Sequence, residues 1–143
     1  MFDFLRYVFD KYVCLHKKMT DRIKTHKDLI VYNLSFEAGI AIFKISKSFP
    51  RDEVFSLTDQ IRRSSRAVSA NISEAFRKRR YPKSFISKLS NAEGEAAETQ
   101  VWLDYSLSFG YIQEEEHGIL YAQYDRIIGM LVNMMKAPSK WSW

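Results

Sequence analysis

The 143-residue sequence predicts an all-α fold, an antiparallel up-down-up-down four-helix bundle, and three observations carry that expectation. Apolar residues recur three and four positions apart through four long segments, 28–48, 58–80, 83–109 and 113–136, with no sustained alternation of the kind a strand needs. Only five Gly and three Pro supply turns, and the breaks are short: "SFPRDE" at Pro50, "RRYPKS" at Pro82 and "SFGYIQEEE" at Gly110. Short connections cannot carry the chain back along a helix, so successive helices must run antiparallel. A 46% apolar share with 15% aromatics fits a packed core, and a chain of this length folds as one domain. The expected organisation is an N-terminal extension over 1–27, the bundle over 28–136 and a C-terminal tail over 137–143.

The first 18 residues, "MFDFLRYVFDKYVCLHKK", place Phe2, Leu5, Phe9 and Tyr12 on one face and Arg6, Asp10, Lys11, Lys17 and Lys18 on another. This extra amphipathic segment reads as a helix docked on the bundle or as an extension upstream of Met19 in preference to an interfacial membrane helix, for which its charge is a modest attraction, so a membrane partner is not expected. Charges interrupt each apolar stretch, which makes it a poor signal peptide, and no run approaches a membrane span. A single cysteine, Cys14, excludes an internal disulfide and a Cys-based zinc site and suits a cytoplasmic location.

In the second segment Ile61, Ser65, Val68, Ile72 and Phe76 form a bundle seam. Thr58 is placed to cap its start, with Asp59 favourable at the positive end of the helix dipole. The small residues Ser64, Ala67, Asn71 and Ala75 flank the seam and let a neighbouring helix approach, which leaves Asn71 in need of a hydrogen-bond partner. Arg63, Arg66 and Arg77 fall opposite the seam, and "RKRR" at 77–80 carries the charge onward. Ala75 favours helix, so the segment is expected to run on through that basic end.

The third segment has its seam at Phe85, Leu89, Ala92, Ala96, Leu103 and Leu107, with Glu93 and Gln100 leaning inward. Trp102 and Tyr105 point away from it, which predicts burial against another subunit, with partial cover by the N-terminal segment as the alternative. In the fourth segment Ile119, Ile127, Leu131 and Met134 are expected in the core.

The net charge of +5 is unevenly spread. Residues 1–48 carry nine bases and five acids, 49–91 ten and four, and 92–143 three and eight. A basic middle and an acidic end fit an anionic partner, and fit equally well helices pairing side by side.

The motifs "FPRDEVFSLTDQIRRSSRAVSANISEAFRKRR" and "FISKLSNAEGEAAETQVWLDYSLSFGYI", in that order, closely resemble the four-helix bundle proteins known as 23S rRNA intervening-sequence proteins. The resemblance runs from about Asp28 to Met135. It implies a compact bundle that assembles as a homopentamer, and a link to nucleic acid. A related branch is similar to accessory proteins of diversity-generating retroelements, basic pentamers that bind RNA or DNA and partner a reverse transcriptase. Position by position, Pro50 and Glu53 match the family's Pro-x-x-Glu turn, and Leu57, Thr58 and Gln60 its Leu-Thr-x-Gln. Arg62 and Arg63 match its paired arginines, Asn71, Ile72 and Glu74 its Asn-Ile-x-Glu, and Gly94, Glu98 and Leu103 its helix-three signature. The family often has Gly where this chain has Ser56 and Ala75, and Ser where it has Glu95.

No catalytic constellation is present in the sequence. His16, His26 and His117 have no partner at the spacing of metal ligands on one helix face, so neither a metal nor another cofactor is expected. Ser64, Ser65, Ser69 and Ser73 have no local base and read as packing residues. Glu93 and Glu98 are expected to pair with Arg62, Arg63 or Arg66. No phosphate-cradling glycine loop occurs, and an enzyme is not expected. The residues placed to hold nucleic acid are Arg63, Arg66, Arg77, Lys78, Arg79, Arg80 and Lys83, repeated around a rim if the protein forms a ring, with Tyr81 and Phe85 available for stacking. Contacts from helix ends reach the backbone more readily than base edges. The rival reading is a scaffold whose arginines and outer aromatics hold a protein partner. Asn71, Glu74 and Glu98 are read as structural polar residues.

Overall fold

The computed structural model describes residues 23–142. The amphipathic segment 1–18, with Cys14 and His16, lies outside the described residues. Four helices form the frame: α1 Ile30–Ser46, α2 Leu57–Arg77, α3 Pro82–Ser108 and α4 Glu114–Lys136. Short 3-10 turns stand at His26–Asp28, Arg51–Glu53 and Pro138–Lys140. No strand occurs among the described residues. Each helix packs on the next, and α1 also meets α4, which closes an antiparallel bundle. The α1–α2 and α3–α4 connections therefore share one end, called here the two-loop end. The α2–α3 connection shares the other, the terminal end, with both limits of the described chain.

The interior follows from the periodicity. Ile61, Ser65, Val68, Ile72 and Phe76 of α2 are buried, as are Phe85, Leu89, Ala92, Ala96 and Leu103 of α3. Each large side chain so buried contributes roughly 1.5–3 kcal/mol. Two expected positions are corrected. Leu107 is half-buried, and so is Ile119, because the α4 seam runs through Leu120, Tyr124, Ile127, Leu131 and Met134. Ile119 is one residue, about 100° of helix turn, off that line. Tyr124 is wholly enclosed, its hydroxyl has no hydrogen-bond partner among the described residues, and burial pushes its pKa upward.

Polar contacts join α2 to α3. Ser64 Oγ and Thr99 Oγ1 meet at 2.8 Å inside the core, where small side chains let the helices approach. Asn71 finds its partner within α2, donating to the Ala67 carbonyl at 2.9 Å. Gln100, buried on α3, donates to Asp125 Oδ1 at 2.8 Å and to the Tyr121 carbonyl at 3.2 Å on α4. Among the described residues nothing crowds a Cβ at Gly94.

At the two-loop end, Glu53 rather than Thr58 serves the start of α2. Its Oε2 accepts the Leu57 amide at 3.0 Å, and its Oε1 accepts the Tyr111 hydroxyl at 3.0 Å across the two loops. The helix begins one residue before Thr58, which is buried with its hydroxyl unpartnered among the described residues. The Leu57 amide, first among Glu53's contacts, lowers the Glu53 pKa, while desolvation and then Glu53 raise that of Tyr111. The α3 terminus closes as a Schellman motif: Gly110 takes φ of 76°, its amide reaches the Leu107 carbonyl at 3.0 Å, and the Tyr111 amide reaches Ser106 at 2.8 Å. A capping box of Gln113 and Glu116 then starts α4.

Candidate nucleic-acid interface

At the terminal end the chain reverses at Lys78–Tyr81. The expectation that helix runs on through "RKRR" is overturned, since α2 stops at Arg77. Pro82 is the physical reason: it opens α3 at its first position and forces Tyr81 into an extended conformation, φ −110° and ψ 95°. Lys78, Arg79 and Arg80 thus form a turn and not a helix face.

Arg79 is the anchored member of that turn. Its guanidinium lies 3.9 Å from the centre of the Phe76 ring and donates from Nη1 to the Phe76 carbonyl at 2.8 Å, completing the end of α2. Burial first, then the charges of Arg77 and Arg80, press its pKa below the ordinary value. A cation whose charged form is already disfavoured by like neighbours gains from an arriving anion. Arg80 lies 5.7 Å from the Tyr81 ring, and Arg77, Lys78, Arg80, Tyr81 and Lys83 are exposed.

The fold brings further cations to this end that the sequence reading missed. A groove of about 580 Å³ is lined by Lys24, Arg79 and Lys140 together with Phe76, Ile23 and Trp141. Lys24 precedes the His26–Asp28 turn, which packs on α2, and Lys140 ends the Pro138–Lys140 turn, which packs on α3. Lys27 and Lys136 are exposed at the same end. Trp141 rests half-buried against the core, so the expected C-terminal tail includes a docked turn carrying an aromatic surface beside the cations. Of the acids nearby, Asp28 is occupied, accepting the Thr25 and Lys24 amides at 2.8 and 2.9 Å, contacts that hold its pKa down. Glu74 is paired with Lys88 at 2.7 Å. The signal for Lys24, Lys140 and Trp141 was not local: it lies in the antiparallel topology, which returns both limits of the described chain to the basic turn.

Other residues singled out from the sequence lie elsewhere. Arg63 sits fourteen residues before Arg77, about 21 Å along α2, and is paired with Glu98 at 2.6 Å and Glu95 at 3.4 Å. Glu98, through its hydrogen bond first, raises the Arg63 pKa. Glu98 also accepts the Trp102 indole N–H at 3.2 Å, so Trp102 is half-buried and fixed in place. Glu93 takes no part in that pairing. Arg66 is exposed midway along α2. Tyr105 is exposed and continues a row on α3 with Val101 and Phe109, its ring 5.6 Å from that of Phe109. A second apolar row runs along α1 through Phe36 and Phe43, and Phe55, in the α1–α2 connection, is 96% exposed. Phe85, considered for stacking, is buried in the core.

His117 Nε2 lies 2.7 Å from Asp104 Oδ1. Among the described residues no group of three His, Cys, Asp or Glu side chains is placed to hold a metal ion, and no helix is long and apolar enough to cross a membrane.

The family model described as 23S rRNA-intervening sequence protein matches residues 27–133. A solved structure from Bacteroides thetaiotaomicron, described as a protein with unknown function from the S23 ribosomal protein family, is similar at 30% identity and a TM-score of 0.69. The similarity covers 75% of this chain and 99% of that one. No curated protein matches the chain.

Proposed function

The chain belongs to the 23S rRNA-intervening sequence protein family, and from that premise we propose that it is a non-enzymatic assembly that binds RNA or DNA through the terminal end of the bundle. The observation that supports this reading is the gathering of Arg77, Lys78, Arg79, Arg80 and Lys83 with Lys24 and Lys140 around one groove and turn, beside Trp141 and Tyr81. Cations from helix ends and turns neutralise backbone phosphates and release counterions, which gives salt-sensitive binding with little sequence preference. Trp141 and Tyr81 add faces on which unpaired bases stack.

Self-association belongs to the same proposal. The apolar rows on α3 and α1 face outward from different sides of the bundle, the arrangement a ring of identical subunits uses, and a homopentamer would repeat the basic end five times. The same exposed rows support the second reading, a scaffold for a protein partner such as a reverse transcriptase. Fluorescence anisotropy against structured RNA, single-stranded DNA and duplex DNA over a salt series separates the two. Binding that weakens steeply with salt, and that is lost when Arg77, Lys78, Arg79 and Arg80 become Gln, is the expected result. Absence of binding near physiological salt would leave the scaffold.

A further inference from the structure

We propose a second anion site, built for the dianion of a phosphate monoester, in the groove between the end of α1 and the first half of α2. This groove, of about 640 Å³, is lined by Lys47, Arg62, Arg63, Arg66 and Thr58, with Asp59, Ala67 and Ala70. It lies along the flank of the bundle toward the two-loop end, apart from the basic turn.

Arg62 is held in place there. Its Nε donates to Ser46 Oγ at 2.7 Å, and its guanidinium carbon lies 4.8 Å from the centre of the Phe43 ring. Lys47 Nζ lies 4.9 Å from the same ring. Two cations therefore flank one aromatic side chain, and neither makes an ion pair among the described residues. The contrast with Arg63 is direct: the next residue of α2 is satisfied by Glu95 and Glu98, while Arg62 spends its Nε on a neutral serine and keeps the charged fork for a ligand.

Thr58 supplies an independent observation. It lines this groove, it is 6% exposed, and its hydroxyl has no hydrogen-bond partner among the described residues. Buried hydroxyls are nearly always satisfied, so this one keeps hydrogen-bonding capacity to spare beside the groove.

Charge selects the ligand. Lys47, Arg62 and Arg66 outnumber the one unpaired acid of the groove, Asp59, by two. A carboxylate or a backbone phosphodiester brings one negative charge, whereas a phosphate monoester near neutral pH brings between about 1.5 and 2, with three acceptor oxygens. The groove is also of the size of a small-ligand site. The chemistry is that of a terminal phosphate, whether on a small molecule or at the 5′ end of a nucleic acid.

Titration calorimetry of the full chain with inorganic phosphate, against chloride at matched ionic strength, tests the site without requiring that the terminal end bind nucleic acid. The native chain should bind phosphate, and Arg62→Gln should weaken it about tenfold or more, the worth of one charge-assisted hydrogen bond. Lys47→Gln should weaken it less. Thr58→Val should lose affinity while its melting temperature holds or rises, a pairing that a merely structural threonine would not show. No phosphate heat above chloride, or equal affinity in the native chain and Arg62→Gln, would overturn the proposal. A nucleoside 5′-monophosphate and a pair of oligoribonucleotides with and without a 5′-phosphate distinguish the sources: preference for the phosphorylated strand, lost in Arg62→Gln, assigns the nucleic-acid end. Equal binding of the two strands beside retained monophosphate binding assigns the small molecule.

Discussion

At the two-loop end the chain turns twice and fastens each turn with hydrogen bonds made inside the protein; at the terminal end it turns once, on the basic run 77–80. Glu53 accepts the first amide of α2 and the Tyr111 hydroxyl, and Gly110 closes α3. The terminal end instead collects cations from three separate stretches of chain around a groove with an aromatic wall. The difference teaches that one bundle end can be specified for rigidity while the other holds like charges close together, a repulsion that packing elsewhere must offset.

The largest effect should come from removing charge at the terminal end. Changing Arg77, Lys78, Arg79 and Arg80 to Gln should lower the slope of log affinity against log salt by about 3 for single strands, close to 0.7 for each phosphate no longer neutralised. Thermal unfolding of the same variant should show only the loss of the Arg79 contact with the end of α2, about 0.5–1.5 kcal/mol, and a collapse of the fold would break the comparison. Next in size is Gly110→Ala, which forces an L-residue into the left-handed region at a cost of about 1–2 kcal/mol. Chemical denaturation reads it, and nucleic-acid affinity should be untouched.

A smaller effect belongs to Tyr111→Phe, which removes one of the two hydrogen bonds described for Glu53. Because the folded Glu53 pKa lies below its unfolded value, its contribution is present above the unfolded pKa and is lost as pH falls through the folded one. The variant should melt slightly lower at neutral pH and show a shallower loss of stability on acidification; a melting curve identical to the native chain at every pH would remove the tie between the loops. Smallest is Arg63→Gln. Its ion pairs are half exposed, with about 47% of the arginine side chain open to solvent, so the change should cost about 0.5 kcal/mol or less by denaturation.

The bundle was legible because its information is local. A seam at three- and four-residue spacing placed Ile61, Val68, Ile72 and Phe76 inside, and three short breaks dictated the antiparallel order. Pairing of Glu98 with Arg63 was also within reach, since helical faces on neighbouring segments of known order can be matched by sign. Caps were less legible: Thr58 has the right chemistry for an N-cap, yet Glu53 reaches the helix start from the preceding turn, a choice set by where the chain enters. Pro82 outweighed the helix propensity of Ala75, and residues 78–80 became a turn. Least legible was the composition of the terminal end. Lys24 and Lys140 stand at opposite limits of the described chain, and only the completed bundle brings them to one groove.

That each helix leans chiefly on its sequence neighbour also bears on how quickly the structure assembles. Packing between adjacent helices closes short loops, which keeps contact order low and places helical bundles among fast folders, in the microsecond to millisecond range. The α2–α3 hairpin, stitched by Ser64 with Thr99 and by Glu74 with Lys88, needs only the four-residue reversal at Lys78–Tyr81 to form. Docking of α4 on α1, where Gln123 donates to the Leu34 carbonyl at 3.4 Å, closes the longest loop of the bundle and should come last. Substitutions along that closing seam should accelerate unfolding and leave the refolding rate alone, while those between α2 and α3 should slow refolding.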